Sequence, residues 1–276
     1  MVVDEVDEVD TRLGVVDLTA ILADWTLTVK NLFLPVFCKM CGYRLLTEEN
    51  GHFCPTCWEL SPRVERPFCT LCGRPHAGVI GFGTLSNFPC ADCRERASRG
   101  GLPFRRMYGA ALYDGAVKEA VKLFKFYGKR GLARPLGALM AEFAEREMEC
   151  DAYDFIVPVP LHKVRERDRG FNQSRLLSQE ILSFFPNARI DESLRRLRPT
   201  CVQSRLKTAS ERRANVVGAF AVEGNRLAGS RVLLVDDVVT TSGTVSECAA
   251  ALRRANAGPV DIFAAALKMS MDDVET

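Results

Sequence analysis

Two adjacent carboxylates at the end of an apolar run, backed by a hydroxyl- and glycine-rich stretch, are the residues best placed to do chemistry. They read Val232-Leu233-Leu234-Val235-Asp236-Asp237-Val238-Val239-Thr240-Thr241-Ser242-Gly243-Thr244. The carboxylates of Asp236 and Asp237 suit sugar hydroxyls, which donate to them, or a Mg²⁺ ion, which prefers oxygen ligands. The Thr and Ser hydroxyls, with backbone N–H groups at a helix start, suit a phosphate, because those N–H groups have no partner inside the helix. Val232–Val235 reads as a strand buried on both faces, as in a parallel sheet. Gly243 to Asn256 then places Val245, Cys248, Ala249 and Leu252 on one helical face. The loop therefore lies at the carboxyl end of a strand, where open α/β sheets bind ligands. A Walker-type phosphate loop fits poorly, since no Gly-Lys-Ser/Thr follows.

A second constellation follows another apolar strand, Tyr153 to Val159. Between Pro158 and Ser174, the cations Lys163, Arg165, Arg167 and Arg169 fall in a predicted loop ahead of a helix carrying Leu176, Leu177 and Ile181. Main-chain N–H groups and cationic side chains from Leu161 through His162, Lys163 and Arg165 suit a diphosphate. His162 is either a general base or diphosphate contact, or a surface residue without a role.

The third constellation is metal-binding. Eight of the eleven cysteines form four C-x-x-C pairs, Cys38/Cys41, Cys54/Cys57, Cys69/Cys72 and Cys90/Cys93. Two thiolates on a tight turn reach one tetrahedral ion, and two such pairs complete a Cys₄ zinc site. Gly42 and Gly73 follow the second cysteine of a pair and suit the turn. The region is rich in proline, so metal is expected to supply the stability that a core cannot. About two structural Zn²⁺ ions are expected, in successive ribbons or cross-braced. Disulfides are the main alternative and suit a cytoplasmic chain badly. Cys150, Cys201 and Cys248 are scattered and read as packing residues.

Stepping outward, 276 residues with 47% apolar and 26% charged content suit one α/β domain plus an accessory module. No apolar run is long enough to span a bilayer, and the opening MVVDEVDEVD lacks the features of a signal peptide, so a cytoplasmic location is expected without membrane insertion. The net charge of +2 conceals an asymmetry: residues 1–24 hold seven acids and one Arg, and residues 160–213 hold thirteen Lys/Arg against six acids. The basic middle suits phosphate-rich ligands. The expected division is an acidic, disordered head over 1–24, a helix (Trp25 to Phe37) with a double zinc-ribbon module over 25–100, and the α/β domain over 101–276. Within the latter, Gly115 to Tyr127 buries Val117, Ala120, Val121 and Phe124 and leaves a stripe of Lys118, Lys122, Lys125 and Lys129. Leu132 to Phe143 gives a second amphipathic helix.

The acid pair with T-T-S-G-T closely resembles the phosphoribosyl diphosphate motif of type I phosphoribosyltransferases. The P-x-P-x-x-x-x-R…R-G-F-N-Q stretch from Pro158, and Arg195 to Phe220 with Arg196, Thr200, Gln203, Leu206, Arg212, Arg213 and Asn215, are similar to the ComF-type competence-protein family. The cysteine pairs match that family's zinc-binding front end, and the resemblance covers roughly residues 30–268. It implies a type I phosphoribosyltransferase-like parallel sheet flanked by helices. It also implies ribose 2′- and 3′-hydroxyls on Asp236 and Asp237 as the catalytic pair, the 5′-phosphate on Val238 to Thr244, and Mg²⁺ accompanying the diphosphate. Arg196, Gln203 and Arg212 would belong to a mobile flap.

Two functions of different class follow. One is phosphoribosyl transfer to an unknown acceptor. The other is a DNA-uptake protein binding single-stranded DNA through its zinc ribbons and basic surfaces, with Phe124, Phe126 and Tyr127 stacking on bases and the phosphoribosyl site a sensor or vestige. Cys38 is the first cysteine of this sequence, so an amino-terminal glutaminase nucleophile is not expected.

Overall fold

The computed structural model describes residues 35–45, 51–76, 87–198, 216–240 and 242–269. The expected acidic head and residues 25–34 of the expected leading helix lie outside these. Val36–Phe37, the end of that helix as read, instead forms strand β1, paired antiparallel with β2 (Arg44–Leu45). The pairing closes a knuckle around Cys38 and Cys41: Cys38 N–H donates to Tyr43 O at 2.7 Å and Gly42 N–H to Cys38 O at 3.0 Å. Two short helices, α1 (Pro55–Glu59) and α2 (Ala91–Ser98), each begin immediately after a cysteine.

Beyond a turn with positive φ at both Gly100 and Gly101, the chain builds an α/β layer structure. Strand β3 (Arg106–Leu112) leads into α3 (Gly115–Phe126) and α4 (Ala133–Glu147), then β4 (Phe155–Pro158). Helices α5 (Lys163–Arg169) and α6 (Gln173–Ile181) precede β5 (Arg189–Ile190) and a two-stranded ribbon of β6 (Leu194–Arg196) and β7 (Phe220–Val222). The chain closes with β8 (Val232–Val239), α7 (Gly243–Arg254) and β9 (Val260–Leu267). The main sheet has the order β3-β9-β8-β4-β5, with every pairing parallel. The Val232–Val235 run thus lies in the central strand. β9 is buried along its whole length, because α4 packs on β3 and β9 and α6 on β4 and β8, while α7 packs separately on β8 and β9. Sheets covered on both faces need this continuous apolar pattern rather than alternation. Among the described residues, no helix is long and apolar enough to cross a membrane.

Helix α3 buries Ala116, Val117, Ala120, Val121 and Phe124, and the Phe124 ring packs on Phe171 with centroids 5.3 Å apart. Phe124 is therefore core and not a surface ring for stacking on bases. Two further readings are corrected. Lys163, Arg165, Arg167 and Arg169 lie on helix α5 rather than in a loop. The His162 side chain caps it by accepting from Val164 N–H at 3.4 Å, and Gly170 ends it at φ +78°. The acid pair lies within β8 rather than beyond it, since Asp236 pairs with Ala264 and Val239 with Leu267.

The cysteine module is joined along the otherwise open edge of β3. Val64 N–H donates to Ala110 O at 3.1 Å, Leu112 N–H to Pro62 O at 2.9 Å and Met107 N–H to Leu71 O at 2.9 Å. Covering an edge in this way removes a template for unwanted strand pairing. At the opposite end of the sheet from the acid pair, Asp261 on β9 is fully buried. It accepts from Arg105 Nε at 3.0 Å and Tyr153 Oη at 2.8 Å, with Arg231 at 3.8 Å.

Candidate functional site

Asp236 and Asp237 form the floor of a cleft of ≈ 230 Å³ at the carboxyl ends of β8 and β4. Ser174, in the first turn of α6, donates from Oγ to Asp236 Oδ1 at 3.0 Å, and Asp237 N–H donates to the same oxygen at 2.9 Å. Asn172 holds Ser174 there: its Oδ1 accepts from Ser174 N–H at 3.0 Å while its Nδ2 donates to Val159 O at 3.1 Å. Asp237, 3% exposed, accepts on Oδ1 from Val238 N–H at 2.7 Å and from Lys125 Nζ at 2.8 Å. Its second oxygen, Oδ2, is buried without a hydrogen-bond partner among the described residues, and so is Nε2 of Gln173. A buried polar atom left unsatisfied costs about 1–3 kcal/mol, so these two atoms are points where a ligand gains. Desolvation, and then the neighbouring Asp237 charge, push the Asp236 carboxyl up to about 7, against the opposing pull of Lys125 and the two donated hydrogen bonds.

The stretch expected to hold a phosphate begins where β8 ends. Ser242 takes the left-handed conformation, φ 54° and ψ −3°, immediately before α7, a conformation found in backbone concavities that suit anions. Thr240, Ser242, Gly243 and Thr244 all line the cleft, and Thr241 lies outside the described residues.

Of the residues singled out from sequence, the structure brings together Leu161, Arg165, Arg196, Asp236, Asp237, Val238, Val239, Thr240, Ser242, Gly243 and Thr244. It does not bring His162 and Lys163 to that cleft. They line a neighbouring cavity of ≈ 430 Å³ with Glu166, Glu192 and Arg195, because helix α5 turns them to the far side of the Pro160 segment. Gln203 and Arg212 lie outside the described residues. Eight lining residues were not named as site residues: Val159, Pro160 and Val245, and, with groups able to meet a ligand, Lys125, Phe126, Arg169, Gln173 and Ser174. The signal for the last three was the Arg169-Gly-Phe-Asn-Gln-Ser174 run itself. For Lys125 there was only its place in a lysine stripe.

The thiolates form two groups, Cys38/Cys41/Cys54/Cys57 and Cys69/Cys72/Cys90/Cys93, each with its sulfurs within 4.8 Å of one another. The pairing is successive, not cross-braced. A tetrahedral ion with Zn–S of about 2.3 Å sets sulfurs about 3.8 Å apart, and Cys41 Sγ–Cys54 Sγ is 3.8 Å and Cys72 Sγ–Cys90 Sγ 3.9 Å. Cys69 Sγ accepts from Cys90 N–H at 3.2 Å and Leu71 N–H at 3.4 Å, and Cys54 Sγ from Cys57 N–H at 3.4 Å. Such bonds favour the thiolate, the form that ligates metal. The turn at the second site requires glycine: Gly73 has φ +70°, and a Cβ there would lie 2.6 Å from Met107 O. The donor set and spacing fit two structural Zn²⁺ ions. Cys248 is buried on α7, where desolvation pushes its thiol well above the ordinary value, as suits a packing residue.

Residues 29–112 match the double zinc ribbon domain family. The DNA utilization protein YhgH of Escherichia coli O157:H7 is 31% identical over 237 residues, spanning 84% of this chain and 97% of that protein. Competence protein F of Haemophilus influenzae is 32% identical over 233 residues, spanning 82% of this chain and 94% of that one. Among solved structures, a purine phosphoribosyltransferase from Pyrococcus horikoshii aligns with 50% of this chain and 81% of its own at 14% identity and a TM-score of 0.27, too slight a likeness to bear on function.

Proposed function

The chain belongs to the ComF-type competence-protein family, and from that premise we propose that its cleft binds phosphoribosyl diphosphate and transfers the phosphoribosyl group to an acceptor. The observation that carries this reading is Asp237 Oδ2, a buried carboxylate oxygen without a partner among the described residues, on the same strand that runs into the Ser242 cradle. A ribose hydroxyl supplies the donor that this oxygen lacks. The 5′-phosphate takes the N–H groups and hydroxyls of Thr240 to Thr244, and the diphosphate meets Arg165 and Arg169 across the cleft.

In transfer the C1–O bond breaks and diphosphate leaves with its electron pair; positive charge builds on the sugar ring, the acceptor's lone pair closes on C1, and the acceptor gives up its proton to solvent. Asp237, fixed by Lys125, and Asp236, held by Ser174 and ionised as pH rises through about 7, set negative charge beside that ring with little reorganisation, which is the larger part of such catalysis. Arg165 and Arg169 take up the charge of the departing diphosphate. Mg²⁺ would be held by oxygen donors of the cleft, Asp236 among them, and would supply charge neutralisation for the diphosphate.

The test is titration calorimetry with phosphoribosyl diphosphate and Mg²⁺, followed by diphosphate release with a panel of acceptors. Asp236→Ala/Asp237→Ala is expected to weaken binding about tenfold to a hundredfold, since a hydrogen bond to a charged group is worth about 1.5–3 kcal/mol. Equal affinity in the double variant would overturn the assignment.

The names of the relatives, a DNA utilization protein and a competence protein, support a setting in DNA handling for this chain. A second reading makes single-stranded DNA a direct partner, favoured by the exposed cations Lys129, Arg130, Lys163 and Arg167. Binding should then fall with salt at a log–log slope of about −0.7 per phosphate contacted. Absence of binding at low salt leaves transfer as the sole reading.

A further inference from the structure

Helix α3 ends on two aromatic side chains that the fold leaves in water. Phe126 and Tyr127 are each 70% exposed, whereas Phe124, one residue before Lys125, is fully buried. Leaving a phenyl ring in water forgoes the transfer energy that its burial would contribute. The position is also specific. Phe126 lines the cleft, and its neighbour Lys125 is tied to Asp237 by a 2.8 Å ion pair. Arg169, a further lining residue, sets its guanidinium carbon 5.9 Å from the Phe126 ring centroid. The end of the helix is thereby leashed to the acid pair, with a ring at the mouth and a flat cation against it.

In a ribose, C1 is bonded to the carbon bearing the 2′-hydroxyl. A carboxylate that holds that hydroxyl holds C1, and any group joined to it, within a few ångströms. We propose that Phe126, with Arg169 beside it, is a stacking platform for the planar ring of a nucleobase joined, or about to be joined, to C1 of the sugar on Asp236 and Asp237. The assignment rests on the phosphoribosyl reading of the cleft. A phenyl ring and a guanidinium both present flat, polarisable faces, and nucleobases stack on each. The cations Lys125, Arg165 and Arg169 around the ring suit a polar heterocycle carrying phosphate and not an aliphatic chain. The heterocycle has two sources, a free base or nucleotide and a base within a strand.

The experiment compares ribose 5-phosphate, adenosine 5′-monophosphate and a 5′-phosphorylated oligouridylate, which keeps the 2′-hydroxyl, by calorimetry on the full zinc-loaded chain. Wild type, Phe126→Ala, Phe126→Trp and Asp237→Asn are measured in parallel. The base should make one of the two base-bearing ligands at least about tenfold tighter than ribose 5-phosphate, the factor that ~1.4 kcal/mol of stacking gives. Phe126→Ala should abolish most of that ratio, and Phe126→Trp should restore it, which a ring needed only for folding would not do. Loss of the ratio for the mononucleotide assigns a free base or nucleotide, and loss confined to the oligonucleotide assigns a base within a strand. A ratio of one in wild type, or a ratio unchanged by Phe126→Ala with both ligands, overturns the platform while ribose 5-phosphate binding that depends on Asp237 leaves the phosphoribosyl reading standing. Absence of any such Asp237-dependent binding fells both.

Discussion

Replacing Lys125 by Met removes a cation from a carboxylate that has little else to lean on. Asp237 keeps one short hydrogen bond, from Val238 N–H at 2.7 Å, but its side chain is 5% exposed and that of Lys125 23%. At an effective dielectric of about 20, opposite charges about 3 Å apart attract by roughly 5–6 kcal/mol, most of it offset by lost hydration. Breaking a buried pair from one side costs about 3–5 kcal/mol, and the partial exposure of Lys125 points to the lower end, about 3 kcal/mol. Met has nearly the same stem, so the loss is electrostatic. The assay is urea unfolding of wild type, Lys125→Met, Asp237→Asn and the double variant with zinc present. Because Asp237→Asn removes the charge left behind, the double variant should lose about 2 kcal/mol less than the sum of the singles. A coupling below about 0.5 kcal/mol would mean that water screens the pair, and Lys125 would return to the solvated stripe.

Asp236→Asn should gain stability relative to wild type as pH rises. The folded carboxyl, raised to about 7, binds more protons than the unfolded one between pH 4 and 7, so wild-type stability declines across that window and the neutral amide escapes the decline. Ligand-free melts at pH 5 and pH 8 that show the same difference between the two proteins would contradict this. Asp261→Ala should cost about 3–5 kcal/mol in urea, because Arg105, Arg231 and the Tyr153 hydroxyl lose a fully buried partner; a loss under about 1 kcal/mol would show the network to be solvated. Purified protein should carry about two zinc equivalents, and chelation should speed hydrogen exchange at Val64, Met107 and Leu112, whose N–H groups bond across the module's seam. Leu234 and Ile262 should stay protected, and uniform exchange across the chain would refute a local role for the metal.

The parts of this molecule that were legible in sequence are those where residue type alone constrains geometry. A short Val/Leu run bounded by turn residues reads as a doubly covered strand, and Asp-Asp followed by Thr-Thr-Ser-Gly-Thr suits the end of one. The paired cysteines announced two metal sites, but spacing allowed two connectivities, and it took the sulfur positions, Cys41 beside Cys54 and Cys72 beside Cys90, to select the successive one. Helix α5 was missed because Lys-Val-Arg-Glu-Arg-Asp-Arg has no apolar period to read; only its ends, His162 and Gly170, carry a signal. Lys125 was missed for the opposite reason. Helical spacing grouped it with Lys118, Lys122 and Lys129, and only the packing of Phe124 on Phe171 brings the last turn of α3 to the acid pair. Lys122, one turn earlier, pairs instead with Glu119 at 2.7 Å on the surface.

The composition shift at Gly100–Gly101 separates two halves in sequence that the fold joins at the site. Cys72, Cys90 and Cys93 line one small cavity together with Val239, Thr240 and Ser242, so the second cysteine cluster and the loop after β8 share a wall. Ser242 is a non-glycine residue at positive φ, a conformation that persists only where its surroundings over-determine it, at a cost of about 1–3 kcal/mol. The small cavity that Ser242 lines is bounded by the end of β8, by Leu267 and Lys268 at the end of β9, and by Cys72, Cys90 and Cys93. Lys268 N–H bonds Val239 O at 2.9 Å and so ties the first two together. The cysteines lie in a segment whose own pairing is the short bridge of Phe68 with Pro75, and a tetrahedral ion would stiffen such a segment. On the proposed phosphoribosyl reading, the zinc module is then one wall of the phosphate-binding loop.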